Sequence, residues 1–313
     1  MSISKNKVIG ITLGDPSGIG PEIIAKALKK KSIAKLAKFI IIGDYAIFKK
    51  HITRLPKNCD FIDLKQISLS KIKIGTINSI SGKASLMYLK KSVNLIKNKQ
   101  INALVTGPIC KEAVKMHLSS FQGHTEFLAD AAGIKKVGML FVADNFKLII
   151  ATRHLPLKEI SKNFSTQLVQ DAIELTHMAL KKHFKHRNPT LGILGLNPHA
   201  GEGGNMGDEE IKYIIPAIKH ANKKGIKALG PFPADTLFSF DFTNKYNAVV
   251  AMYHDQGLIP IKTLYFNKLV NMTIGLPYIR TSPAHGTAFD IAKKNIADET
   301  PMCEAIKLAV QLS

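Results

Sequence analysis

Val8-Ile9-Gly10-Ile11-Thr12-Leu13-Gly14-Asp15-Pro16-Ser17-Gly18-Ile19-Gly20-Pro21-Glu22-Ile23-Ile24-Ala25-Lys26-Ala27-Leu28 carries the first decision about the fold. Val8 to Leu13 is apolar and β-branched, the composition of a strand buried on both faces. A glycine-rich turn follows, and Pro21 sits at the first position of an apolar-periodic helix that runs to Leu28. Strand, tight turn and helix in that order open an α/β unit. The turn is neither G-x-G-x-x-G nor a P-loop, so neither standard nucleotide motif is present. Its glycines admit backbone conformations closed to other residues, which suits a turn beside a ligand and a purely structural βα turn equally.

The same alternation continues outward from this stretch. Phe39–Ile42 reads as a second buried strand, Ala84–Ile96 as a helix, and Ala103–Val105 as a strand ending in Thr106-Gly107-Pro108. Val137–Val142 and Lys147–Ala151, separated by Asp144-Asn145, read as a hairpin. Phe164–Lys182 and Ile211–Ala221 read as helices, and Leu191–Leu194, Ala248–Met252 and Val270–Ile274 as strands. The segment from Thr281 to Ala292 reads as a turn running into a helix, with Arg280 in a loop before it. The expected fold is therefore α/β and mostly parallel, with one antiparallel excursion in the middle. Ligands in such sheets gather beyond the carboxyl ends of the strands. The polar, glycine-rich clusters follow Leu13, Val105, Ala151, Leu194, Met252 and Ile274.

With 313 residues, 45% of them apolar, the chain can bury a large core as one unit or two lobes. Its three cysteines, Cys59, Cys110 and Cys303, are scattered and form no C-x-x-C pair, against a disulfide framework or a cysteine-rich zinc site. No apolar run is long enough for a signal peptide or a membrane span, so a cytoplasmic location and no membrane partner are expected. The formal charge of +21 comes from lysines spread along the chain, as in Lys29-Lys30-Lys31 and Lys181-Lys182. No aromatic-interleaved basic motif accompanies them, so a solvated lysine-rich surface is expected, without a nucleic-acid partner.

Three histidines follow expected strands: His154 in Thr152-Arg153-His154-Leu155-Pro156, His199 in Asn197-Pro198-His199-Ala200-Gly201-Glu202, and His254 in Tyr253-His254-Asp255-Gln256-Gly257. Three neutral imidazoles with an open fourth position suit a catalytic divalent metal, zinc by ligand type. Each alone is also an ordinary hydrogen-bonded loop histidine; their shared class of loop favours the metal. Gly123-His124-Thr125-Glu126 opens an apolar helix, whose first turn suits either an anion or a simple cap. Lys262, Asn271 and Arg280 lie late in the chain, and arginine and lysine are natural anchors for phosphate and carboxylate.

Gly14 to Glu22, Gly123 to Glu126, Asn197 to Glu202, Tyr253 to Gly257 and His285-Gly286-Thr287-Ala288 together resemble, in order and over essentially the whole chain, the 4-hydroxythreonine-4-phosphate dehydrogenase family of pyridoxal-phosphate biosynthesis. The segment from His285 to Ala292 also resembles the cofactor stretch of isocitrate and isopropylmalate dehydrogenases. The resemblance implies two α/β/α lobes with an active-site cleft between them. Residues 1–112 and 258–313 would form the cofactor-side lobe, and 113–257 the lobe for metal, substrate and dimerisation. It further implies a homodimer with the active site at the subunit interface.

By the same resemblance His154, His199 and His254 fall on metal positions, with zinc, magnesium or cobalt as the ion. His124, Thr125, Lys262, Asn271 and Arg280 fall on substrate positions. His285, Gly286, Thr287 and Ala288 fall on the NAD or NADP side, and Asp255 or Lys262 is the candidate acid–base group. The implied reaction oxidises a 3-hydroxyl and then releases carbon dioxide from 4-phosphohydroxy-L-threonine. A paralogous 4-phospho-D-threonate or erythronate dehydrogenase would use the same motifs. One departure is visible: where the family carries Gly-Lys-Gly, this chain has Lys293-Lys294-Asn295.

Overall fold

The computed structural model describes residues 7–238 and 242–313. The chain forms two compact units. The first runs to Lys135 and takes in Val270–Met272 and Leu276–Ser313; the second comprises Lys136–Leu269 with Thr273–Gly275. Compactness thus divides the chain after 135 and near 270, whereas the division drawn by role falls at 112/113 and 257/258.

In the first unit five parallel strands lie in the order β3 (Cys59–Asp63), β2 (Lys38–Gly43), β1 (Val8–Thr12), β4 (Ala103–Thr106) and β11 (Ile279–Pro283). The central strand β1 pairs Ile9 with Phe39 on one side and with Ala103 on the other. All three are fully buried, which is why these strands read as unbroken apolar runs. Helices Ser79–Lys97 and Thr300–Leu312 pack on this sheet, and Gly20–Lys29 packs against Thr300–Leu312.

In the second unit the order is β5 (Gly138–Ala143), β6 (Phe146–Ile150), β9 (Ala248–Ala251), β7 (Thr190–Leu194) and β8 (Lys227–Phe232). The β5–β6 pair is antiparallel, the hairpin expected around Asp144-Asn145, and the remaining pairs are parallel. Helix Thr166–Lys182 packs on β5, β6 and β9 through Val169, Ala172, Ile173 and Leu180. The division between the units passes through β10 (Val270–Ile274). Among the described residues no helix is long and apolar enough to cross a membrane.

Three local expectations need correction. Arg280 lies in strand β11, not in a loop; all five residues of that strand are buried, and the guanidinium finds a partner in Thr106. No helix follows Thr281 to Ala292. The chain makes turns there, with Ala288 at φ 42° and Asn295 at φ 54°, values a right-handed helix does not hold, and the helix begins only at Thr300. His254 is the first residue of a helix, His254–Tyr265, despite Gly257 and Pro260 within it. Gly257 explains the packing: a Cβ there would stand 2.7 Å from Leu148 and 3.0 Å from Ala251, so its absence lets the helix lie directly on β6 and β9.

Candidate active site

In the first unit the loops after β1, β4 and β11 meet. Gly107 N–H donates to Thr12 O at 2.9 Å, Asp15 N–H to Pro108 O at 2.8 Å, and Ile19 N–H to Thr287 O at 3.0 Å. The glycine-rich turn after β1 is therefore built against the His285–Ala288 stretch, 270 residues away in sequence. Asp15 is fully buried in that turn, where its Oδ1 accepts Ser17 N–H at 2.9 Å. Burial pushes its carboxyl up to about 6, against the lowering effect of the Ser17 bond.

Arg280 and Lys111 lie close to the start of helix His124–Ala132. Gly123, which has no side chain to cap with, is its N-cap, and the Glu126 carboxylate lies close to it in the first turn. Burial, then the charges of Arg280 and Lys111, hold His124 well below the usual histidine range, so its imidazole is neutral at physiological pH. Thr125 is buried beside it. Arg280, 2% exposed, donates from Nη2 to Thr106 Oγ1 at 2.6 Å. Desolvation lowers the guanidinium to about 10, still far above neutrality, so a buried positive charge persists there. Asn271, in β10, has a buried Oδ1 with no hydrogen-bond partner among the described residues. A cationic cluster at a helix start is a competent binding place for phosphate or carboxylate.

In the second unit the loops after β6, β9 and β7 also meet. Ala151 N–H donates to Ala251 O at 2.9 Å, and Thr152 Oγ1 donates to Met252 O at 2.8 Å. Gln256 Nε2 donates to Gly195 O at 2.7 Å, and the same side chain's Oε1 accepts Met252 N–H at 2.7 Å. These bonds bring His154 and His254 together, with ring centroids 5.3 Å apart. His254 Nδ1 is hydrogen-bonded to Asp255 Oδ1 at 2.6 Å, which fixes the orientation of the ring.

His199 stands on a different device. His199, Ala200, Gly201, Glu202 and Gly203 all have positive φ, between 43° and 80°, so this loop is a left-handed turn with three non-glycine residues in it. Each such residue costs about 1–2 kcal/mol, and strain of this kind persists only where surrounding contacts enforce it. Glu210, 2% exposed, does so: its Oε1 accepts Leu196 N–H and Asn197 N–H at 2.7 and 2.8 Å, and its Oε2 accepts Asn197 Nδ2 at 2.9 Å. Glu210 opens a π-helical turn, Glu210–Ile214, where the sequence suggested a plain helix from Ile211.

The structure thus pairs two of the three histidines. Among the described residues no three His, Cys, Asp or Glu side chains gather as a metal-holding group. Lys262 is half-buried in the last turn of the helix that His254 begins. His285 Nδ1 meets Gly286 O at 3.0 Å, and Gly286 faces open space. Sequence reasoning did not single out Thr106, Lys111 or Glu210. Thr106 was findable, since it closes a strand at its carboxyl end; nothing in the sequence marked Glu210. A groove of about 840 Å³ in the first unit, lined by Val93, Lys97, Asn102, Asp130 and Tyr278 among others, holds none of the selected residues.

Comparison with known proteins bears on the whole chain. The family described as pyridoxal phosphate biosynthetic protein PdxA matches residues 23–309. A 4-hydroxythreonine-4-phosphate dehydrogenase from Desulforapulum autotrophicum is 40% identical, over 96% of this chain and 94% of its own. A protein of Clostridium botulinum, provisionally named a D-threonate 4-phosphate dehydrogenase, is 37% identical over 99% and 98%. The crystal structure of 4-hydroxythreonine-4-phosphate dehydrogenase from Klebsiella pneumoniae superposes with a TM-score of 0.87 at 32% identity, covering 98% of this chain and 99% of that one. At the level of fold alone, a β-decarboxylating dehydrogenase from Thermococcus kodakarensis superposes with a TM-score of 0.50 at 12% identity, over 97% and 83%. With its motifs in order from end to end and relatives of this similarity over its full length, the chain belongs to the PdxA family of pyridoxal phosphate biosynthetic proteins.

Proposed function

We propose that the chain oxidises the 3-hydroxyl of 4-phosphohydroxy-L-threonine with NAD or NADP, the 3-oxo acid then losing carbon dioxide to give 3-amino-2-oxopropyl phosphate for pyridoxal 5′-phosphate synthesis. The observation that carries this reading is the His154–His254 pair at the carboxyl ends of adjacent parallel strands. Two imidazoles, one oriented by a carboxylate, fit a divalent cation, with His199 as the further ligand and zinc, magnesium or cobalt as the ion. When bound, the cation would polarise the 3-hydroxyl and the dinucleotide would take up the hydride.

The chain's own groups do the rest. Arg280 and Lys262 hold the anionic ends of the substrate as charged donors. Neutral His124 donates one N–H and keeps an acceptor nitrogen, while Thr125 and Asn271 add hydrogen bonds that fix orientation. Asp255, engaged with His254, acts as its orienting partner, which leaves Lys262 as the better candidate for moving the proton. His285 to Ala288 supply the dinucleotide side.

A homodimer belongs to the same reading. The helix that starts at His254 exposes Ile259 and Leu264, and Phe266 follows directly, at 64, 58 and 68% exposure. A second copy covering this face would bury apolar surface next to a metal ligand, which accounts for a ligand set that a single chain leaves at two.

The name carried by the Clostridium relative favours a second reading, 4-phospho-D-threonate or erythronate as substrate on the same groups. NAD or NADP reduction on both substrates, with metal analysis of the same preparation, separates them. Higher kcat/KM on 4-phosphohydroxythreonine is expected, and a clear preference for phosphothreonate would replace the first reading. His199→Ala should lose most bound metal and most turnover with the fold retained; normal turnover without metal would overturn the ligand assignment.

A further inference from the structure

We infer that Glu22 and Lys26 form a positioning pair that holds the segment from Thr287 to Ala297 in the shape that receives the dinucleotide. The inference rests on the functional reading above, which places the cofactor on His285 to Ala288, and it names residues outside that stretch. Glu22 is 1% exposed in the first turn of helix Gly20–Lys29, and Lys26 follows one turn later. Lys26 Nζ donates to Glu22 Oε1 at 2.7 Å, to Asn295 O at 3.0 Å and to Ala297 O at 2.9 Å. The same Glu22 oxygen accepts Ala297 N–H at 2.8 Å.

One ion pair therefore fastens three backbone groups of a segment that has no regular structure of its own between Pro283 and Thr300. At the other end of the segment Thr287 O accepts Ile19 N–H, one residue before the same helix begins. A short helix thus grips the far-distant segment at two points, about ten residues apart. Between them lie Ala288 and Asn295 in left-handed conformations, which unrestrained chain would leave. Lys293-Lys294-Asn295, between the two grips, contains no glycine. The clamp supplies by charge-assisted hydrogen bonds a loop shape that does not depend on glycine there.

A positioning role makes a split prediction, because preorganising the cofactor segment leaves the substrate groups alone. Lys26 is partly exposed, so Lys26→Met should fold; Glu22→Gln keeps shape and removes the charge, and Lys26→Arg is the conservative replacement. The measurements are NADH or NADPH affinity by fluorescence titration, KM for substrate, and hydrogen exchange of residues 287–297 without dinucleotide. Lys26→Met should weaken dinucleotide binding about tenfold, the equivalent of one charge-assisted hydrogen bond, and speed exchange across the segment. Substrate KM should move by less than about twofold, and Lys26→Arg should restore most of the affinity. Wild-type dinucleotide affinity in both Lys26→Met and Glu22→Gln would overturn the inference, as would equal losses for substrate and dinucleotide. A wild-type protein that binds neither NAD nor NADP would instead remove the functional reading, and this inference with it.

Discussion

Asp15 is a carboxylate in a place that disfavours its charge. Its folded-state pKa of about 6 lies above the unsheltered value of 3.8, so the stability it contributes is full below about pH 4 and is lost as pH rises through 6. The shift corresponds to roughly 2–3 kcal/mol, an order of magnitude for a fully buried group. Asp15→Asn keeps an acceptor for Ser17 N–H and removes the titration. Urea unfolding should find the variant more stable relative to wild type at pH 8 than at pH 4, by roughly 2 kcal/mol. A difference that does not change with pH would mean the carboxyl is not desolvated as described. The comparison must be variant against wild type, because His124 contributes with the opposite sign. Its lowered pKa makes wild-type stability fall as pH drops below 6.5.

At the scale of elements, two left-handed positions separate what the backbone forbids from what it tolerates. Gly14 has φ 76°, and a Cβ there would stand 2.3 Å from Pro108 O and 2.6 Å from the Gly107 carbonyl carbon. Gly14→Ala therefore meets both strain and a backbone clash where the loops after β1 and β4 touch, and should lose more than about 3 kcal/mol in urea unfolding. Asn295, at φ 54°, is a residue that tolerates this region, so Asn295→Gly should stay within about 1 kcal/mol of wild type. Similar losses in the two variants would contradict the clash at Gly14.

The same scale shows what the sequence disclosed. β1, β2, β4, β7 and β9 are legible because burial on both faces leaves apolar runs. β3 and β8 escape notice because they are edge strands with mixed burial, as in Lys227–Phe232, where two of six residues are half-buried and three exposed. β11 is hidden by its polar composition: Ile-Arg-Thr-Ser-Pro reads as a loop and becomes a buried strand because Thr106 and the first-unit core receive it. Among the site residues, the spacing of His154 and His254 told only their class of loop. Their approach depends on Gln256 and the Thr152–Met252 bond, pairings no local pattern encodes. The turn that carries His199 was equally illegible, because Glu210, which enforces it, lies in a different element.

At the scale of the whole molecule, 44 cationic side chains face 23 acidic ones, so at least 21 of the cations have no side-chain carboxylate of their own to pair with. Ion pairs such as Lys38–Asp60 and Lys268–Asp144 are exposed on both sides and contribute little, unlike Lys26–Glu22 with its buried carboxylate. Two copies of a chain with charge +21 repel each other, so any stable self-association must come from apolar burial strong enough to outweigh that repulsion. In the proposed dimer Ile259, Leu264 and Phe266 would supply it. Phe266→Asp should therefore convert a dimer to a monomer in sedimentation velocity, with the circular dichroism spectrum preserved and both metal content and turnover reduced. Charge repulsion adds a second signature. The screening length falls from about 30 Å at 0.01 M salt to about 8 Å at 0.15 M, so the wild-type dimer should tighten as sodium chloride is added over that range. A Phe266→Asp variant that remains dimeric and active would place the interface elsewhere, and a wild-type monomer at micromolar concentration would remove the proposed dimer altogether.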